Sequence, residues 1–231
     1  MKIGTKNLYT RETWLEACLK SIPPGSRILD AGAGERKYKK FCRLLEYVSQ
    51  DFAQYDGKGD ARGLQTGVWD QSKLDIVSDI TAIPKPDDFF DAIMCIEVFE
   101  HLPDPLAAIR EFARLLRPGG ALILTAPFCS LTHFAPYHFY TGFSRYFYET
   151  NLPACGFHVD ELVENGNYFE YLAQEVRRIP TVAEQYSTRR TTLLESLAMR
   201  LVLNMLDRFS ESGKGSSELL HYGCFVRALK R

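Results

Sequence analysis

Two glycines, Gly32 and Gly34, follow directly on an apolar run that ends in an acid, Arg27-Ile28-Leu29-Asp30-Ala31. A glycine behind a buried strand lets the backbone approach a ligand without the obstruction of a Cβ. A second acid, Asp51, closes the next apolar stretch, near the spacing of about 20 residues at which an acid accepts from the ribose hydroxyls of a bound nucleotide. A third, Asp79, stands in Ser78-Asp79-Ile80 at the end of the run that follows. Three of the five histidines, His101, His133 and His138, fall in turn-like segments behind later apolar runs. Imidazole has the unperturbed pKa nearest neutrality, so these are the candidates for moving a proton in catalysis.

The charge of the acids selects the ligand. A dinucleotide would place its pyrophosphate at the glycine turn, where Asp30 repels it, and Lys37 stands at the third glycine of the pyrophosphate-binding pattern. S-adenosylmethionine presents an ammonium and a sulfonium there instead. Opposite charges about 4 Å apart are worth up to roughly 4 kcal/mol at an effective dielectric near 20, before desolvation is subtracted. His133 and His138 lie five residues apart with no clear third ligand, so no metal is expected.

Strands must end at these residues to bring them together. Strand signals at 27–31, 47–51, 74–80, 90–98 and 121–126 alternate with helical stretches. The first helix follows Thr10, carries Trp14, Leu15, Cys18 and Leu19 on one face, and stops at Pro23-Pro24-Gly25; a second is expected around 38–45. A third is capped by Asp104, opens on Pro105 and ends before Arg117-Pro118-Gly119-Gly120. The alternation argues for parallel βαβ units in a doubly wound α/β sheet. Residues 52–72 make a loop longer than a compact connection needs and read as a flap over the site. Residues 128–150 are aromatic-dense and read as a lid, with a helix end, glycine turn and strand at 154–159. Stretches 167–179 and 191–209 read as helices, 210–217 as a mobile link and 222–229 as a closing strand.

Several of these segments match a family in order. Leu29-Asp30-Ala31-Gly32-Ala33-Gly34-Glu35, then Asp51, then Ser78-Asp79-Ile80, then Phe90-Asp91-Ala92-Ile93-Met94-Cys95-Ile96-Glu97-Val98-Phe99-Glu100-His101-Leu102-Pro103-Asp104-Pro105 and Leu115-Leu116-Arg117-Pro118-Gly119-Gly120 occur within residues 24–127. The chain thereby resembles the class I S-adenosylmethionine-dependent methyltransferases, in the bacterial small-molecule subgroup with a domain similar to the ubiquinone-biosynthesis enzymes. The resemblance implies a seven-stranded Rossmann-like sheet with an antiparallel last strand, a helical insertion at 165–212 before it, and a cofactor core over 1–127. It implies cofactor contacts from Asp30, Ala31, Gly32, Gly34, Asp51, Phe52, Asp79, Ile80, Glu97 and His101. The chain departs from the pattern in Arg36-Lys37, and in Cys95-Ile96-Glu97 where many relatives carry an aspartate.

A methyl group on a sulfonium is already a good leaving-group partner, so the enzyme has chiefly to align the acceptor and exclude water. Tyr137, Tyr140 and Arg145 are the polar handles of the lid and the candidates for binding substrate. O-methylation of a sugar, glycan precursor or secondary metabolite is the expected reaction, by family analogy and from the uncharged aromatic lid. The alternative is a non-catalytic S-adenosylmethionine-binding or assembly subunit that works through its C-terminal helices. The 191–209 helix is apolar around most of its circumference and needs cover from the sheet and lid or from a second subunit. A homodimer and a peripheral membrane contact, the latter beside Arg177-Arg178 and Arg189-Arg190, therefore stay open.

The bulk composition excludes other partners. The 231 residues carry 28 Lys+Arg against 29 Asp+Glu, a formal net charge of −1, so no whole-surface field holds a polyanion and no nucleic-acid partner is expected. No Asn-Pro-Pro-Tyr follows the fourth strand, which argues against methylating bases or amides. With no apolar leader segment and no run of roughly 18 uncharged residues, one cytoplasmic domain over 1–231 is expected, without an integral membrane segment. The six cysteines form no Cys-x-x-Cys pair and read as buried thiols.

Overall fold

The computed structural model describes residues 2–65 and 67–231. The chain divides into two compact units, Thr13–Val163 with Gly223–Arg231, and residues 2–12 with Glu164–Tyr222. The strands are β1 (Arg27–Ala31), β2 (Glu46–Asp51), β3 (Ile76–Val77), β4 (Phe90–Ile96), β5 (Leu116–Pro127), β6 (Phe157–Asn165) and β7 (Gly223–Lys230). They form one sheet in the order β3-β2-β1-β4-β5-β7-β6. The pairs β2·β3, β1·β2, β1·β4 and β4·β5 are parallel, and β7 runs antiparallel to β5. The chain order reverses at β1 and β4, the point at which open α/β sheets bind ligands.

The central strands are apolar on both faces, as a sheet covered by helices on both sides requires. Along β4, Ile93 and Cys95 enter one core with Leu29, Phe99, Ile109, Phe112 and Leu124, while Ala92, Met94 and Ile96 enter the other with Leu15, Leu19, Ile28 and Ile123. This alternation is the two-residue period of a strand. Helices α1 (Asn7–Lys20) and α2 (Pro105–Leu115) contribute to the two cores. In α2, Asp104 accepts from the Ala107 N–H at 2.9 Å and Pro105 occupies the first turn. Ala108, Ile109, Phe112 and Leu115 then recur at helical spacing on the buried side.

In the sheet-bearing unit three elements differ from the sequence expectation. The helix expected around 38–45 is a single 3-10 turn, Lys37–Phe41. Arg36 enters it in the left-handed conformation without a side-chain cap, and the first turn is basic where the helix dipole disfavours positive charge. The strand expected at 74–80 shrinks to the two residues of β3. Just before it, the Asp75 carboxylate accepts from the Ser49 N–H (2.8 Å) and hydroxyl (2.6 Å), so a side chain satisfies a donor of β2 where a longer strand would have paired. Strand β5 starts five residues early because Leu116 pairs with Phe90 before Ala121 pairs with Ala92, the intervening residues bulging at Gly119. Cys129 is exposed, against the expectation of buried thiols, since it lies in the loop beyond β5.

In the second unit, α4 (Tyr168–Tyr186) is capped by Asn167 and runs through Pro180 beyond the stop expected near 179. Helix α5 (Leu193–Glu211) opens on a capping box between Thr192 and Glu195. Ala173, Leu203, Leu206 and Ile3 form their shared core. The cover expected around α5 is not supplied within this unit, where Leu193 is 92% and Leu201 63% exposed. Among the described residues, no helix is long and apolar enough to cross a membrane.

Candidate functional site

A cavity of about 490 Å³ opens at the carboxyl ends of the parallel strands. Of the residues singled out in the sequence, Gly32, Asp51, Phe52, Asp79, Ile80, Glu97, His101 and Tyr137 line it. At Gly32 the backbone is left-handed (φ +77°), and a Cβ would lie 2.6 Å from a Val98 methyl that also forms the wall. Glycine is therefore required there by both conformation and space.

Asp51 ends β2, buried and pinned. Its Oδ2 accepts from the Gly34 N–H at 2.9 Å, and its Oδ1 from the Ala53 N–H at 2.9 Å and Gln71 at 3.3 Å. Burial raises its pKa, while the bonds from Ala53 and Gly34 pull it back. Asp79 caps the following turn, Oδ1 accepting from the Thr81 N–H and hydroxyl, each at 2.8 Å. Both of these bonds use Oδ1. Glu97 follows β4 in the left-handed region (φ +56°) and accepts from the Thr125 hydroxyl at 2.9 Å. Such strain in a non-glycine residue persists where surrounding structure imposes it, often at binding sites.

Other singled-out residues lie outside the cavity wall. Ala31 is buried in β1, and Asp30, 2% exposed, accepts from the Tyr47 hydroxyl at 2.6 Å. Burial pushes the Asp30 pKa up to about 7, against the lowering effect of the Tyr47 bond. Gly34 acts on the site through its N–H to Asp51. Tyr140 donates to the Pro103 carbonyl at 3.2 Å, and Arg145, at the start of α3 (Arg145–Ala154), pairs with Glu149 on the same helix at 2.7 Å.

The flap and the lid are one roof. Residues Leu64 and His133 form a bridge, the Leu64 N–H donates to the Thr132 carbonyl (3.0 Å), and the Asp60 N–H to the Ala135 carbonyl (3.0 Å). The rings of Tyr55 and Phe134 stack at 4.5 Å, with Trp69 edge-on to both. Tyr55, Trp69, Phe134 and Phe139 all line the cavity. The expected lid of 128–150 is shorter at its far end, because Phe143, Tyr148 and Leu152 belong to the main core.

Beside this roof the three histidines converge, one ring nitrogen of each lying within 4.8 Å of one from both others. His101 ends the 3-10 turn Phe99–His101 after β4. Its Nδ1 donates to the Tyr137 carbonyl at 2.5 Å, and that of His133 to the Leu131 carbonyl at 2.8 Å. Their Nε2 atoms lie 3.7 and 3.8 Å from Oε1 of Glu100, ion-pair distances too long for hydrogen bonds. Glu100 is 1% exposed, and burial raises its pKa. Burial and the neighbouring His133 hold His101 down at about 3; burial also lowers His133, but the Glu100 carboxylate, the Leu131 carbonyl and Glu97 together outweigh it and leave its pKa raised.

Sequence reasoning missed Gln50, Trp69 and Glu100. Gln50 lines the cavity, and its buried Oε1 has no partner among the described residues. One of only two tryptophans sitting in a polar loop was an available signal for Trp69. The described lining residues include the carboxylates of Asp51, Asp79 and Glu97 and no lysine or arginine. A wall of this kind fits a ligand that carries positive charge and hydroxyl donors, as S-adenosylmethionine does, and disfavours a phosphate.

Comparison with known proteins agrees with this fold. Over 105 residues the chain is 36% identical to the ubiquinone biosynthesis O-methyltransferase of Xanthomonas campestris pv. campestris, an alignment covering 44% of the chain. The matched part spans 43% of that relative's length. An S-adenosylmethionine-dependent methyltransferase from Archaeoglobus fulgidus superposes with a TM-score of 0.58 at 14% identity, covering 96% of this chain and 94% of the other. The [4+2]-cyclase SpnF does so with 0.57 at 19%, covering 95% and 80%. These two likenesses concern the fold, which hosts more than one chemistry. A family model described as a methyltransferase domain matches residues 7–180. The chain belongs to that family, the class I S-adenosylmethionine-dependent methyltransferases.

Proposed function

We propose that the chain methylates a hydroxyl oxygen of a small, largely uncharged acceptor, of the class of a sugar, a glycan precursor or a secondary metabolite. The observation that carries this reading is the joining of an acid-lined cavity to a histidine cluster under an aromatic roof. Bound S-adenosylmethionine supplies an electrophilic methyl group on a sulfonium. Asp51 and Asp79 would accept from hydroxyl and amino donors of that cofactor, with Ile80 and Phe52 against its apolar parts. Phe134, Tyr137 and Phe139 would bound the acceptor on the side of His101 and exclude water. The hydroxyl proton would leave on the side of the cluster of His101, His133 and His138, of which His101 is a wall residue. Tyr140 and Arg145 lie outside the wall and are given no part in this reading. The name of the Xanthomonas relative supports oxygen as the methylated atom.

The exposed leucines of α5 favour a second reading, an S-adenosylmethionine-binding subunit that self-associates through that helix. Thermal-shift titration with S-adenosylhomocysteine, followed by a mass-shift screen with labelled cofactor, separates the two. Ligand at 100 times its dissociation constant should add about 2.7 kcal/mol of stability. Absence of stabilisation overturns both readings, and stabilisation without turnover on any acceptor favours the second.

A further inference from the structure

We infer that His101, His133 and His138 form a binding site for one divalent transition-metal cation, with Zn²⁺ the best match to the donor set. The role given to the cation below rests on the proposed methyl transfer; its binding does not. A backbone carbonyl only accepts, so the bonds to Tyr137 and Leu131 place the proton of His101 and His133 on Nδ1 and leave the Nε2 lone pairs directed elsewhere. Orientation of a ligating imidazole by a carbonyl on its other nitrogen is the usual support of a metal site. Both ring nitrogens of His138 are buried without a hydrogen-bond partner among the described residues. Leaving a buried polar group unpaired is costly, and such groups in native structures call for an unseen partner.

Glu100 supplies the countercharge. Its Oε1 faces two of the three imidazoles, and its buried Oε2 has no partner among the described residues. The backbone carbonyl of the same residue accepts from the Phe139 N–H (2.9 Å) and Tyr140 N–H (3.2 Å), which holds the segment bearing His138 against the end of β4. Bonds of about 2.0–2.1 Å to a tetrahedral Zn²⁺ put nitrogens about 3.3 Å apart. From separations of up to 4.8 Å, each ring would move inward by somewhat under about 1 Å. Three imidazoles select Zn²⁺, Ni²⁺, Co²⁺ or Fe²⁺ over Mg²⁺ and Ca²⁺, which take oxygen ligands. His101 is also a wall residue of the cavity, so the open position of a three-histidine site would receive one acceptor oxygen and lower its pKa.

The test is titration of the chelator-stripped chain with Zn²⁺ against a chromophoric chelator, repeated on His133→Ala and on His138→Gln. One Zn²⁺ per chain is expected for the wild type, with affinity lowered at least about tenfold in each variant. Co²⁺ should give the intense visible absorption of a tetrahedral site. No Zn²⁺ binding by the wild-type chain overturns the inference, as does unchanged binding in both variants, with thermal midpoints confirming that they fold. S-adenosylhomocysteine binding, measured separately in chelator, distinguishes the failures: binding there by a chain that takes no Zn²⁺ in the titration removes only the cation site, and no binding there by a chain that does take Zn²⁺ in the titration removes only the proposed reaction.

Discussion

Replacing Asp51 by alanine removes a carboxylate with two duties. It holds the Gly34 and Ala53 N–H groups, and it faces the cavity from the end of β2. Hydrogen bonds to a charged acceptor contribute about 1.5–3 kcal/mol each, so losing two ribose contacts at the lower figure costs about 3 kcal/mol, or roughly 150-fold in cofactor affinity. The orphaned N–H groups cost about 1 kcal/mol each at the low end, since water from the cavity can reach them. A total near 2 kcal/mol corresponds to a fall in Tm of about 4–8 °C for a chain of this size. Asp51→Asn keeps an acceptor oxygen for one backbone donor, so it should recover part of the Tm while still binding weakly. Calorimetric titration with S-adenosylhomocysteine, alongside thermal melts, measures both effects. Wild-type affinity in Asp51→Ala would refute the assignment of this carboxylate to the ribose.

Gly32→Ala meets both a left-handed backbone and the Val98 methyls; a loss of about 1–3 kcal/mol in urea melts is expected, and Gly32→Ala/Val98→Ala should recover only the steric share. Asp30 has a folded pKa near 7, above its unfolded value of about 3.9. Its contribution to stability is thus full below about pH 4 and is lost as pH rises through 7. Unfolding free energies from urea melts of wild type and Asp30→Asn between pH 4.5 and 7.5 should diverge by a few kcal/mol, the variant showing the flatter profile, and parallel profiles would refute the shift. Trp69 packs over Gly34 within the roof, so S-adenosylhomocysteine should change the intrinsic fluorescence of the wild type, and Trp69→Phe should abolish most of that change.

The sheet centre was legible because its strands carry punctuation at both ends. Strands β1, β2 and β4 close on Asp30-Ala31, Asp51 and Ile96, and α2 announces itself with Asp104 and Pro105. The roof was only half legible. Its two loops were each marked by length or aromatic content, but main-chain bonds such as Leu64 to Thr132 join them, and these leave no trace in residue type. The three histidines were legible as residues but their convergence was not, for a topological reason. His133 and His138 showed no clear third partner in sequence, and His101 comes beside them because β4 pairs with β5 and both strands end on the same side of the sheet. The environment of Asp30 was not legible from its charge, since the bond from Tyr47 on the neighbouring strand β2 and its burial depend on strand pairing.

The joined roof ties together the two halves of the cavity. The 52–72 loop leaves β2 beside Asp51, whereas the loop bearing Phe134 and Tyr137 leaves β5 beside His101. Their backbone bonds and the stacked Tyr55 and Phe134 rings make an independent displacement of either loop costly. A ligand that displaces one loop must therefore displace the other as well. By thermodynamic reciprocity, whatever factor the first occupant adds to the affinity of the second, the second returns to the first.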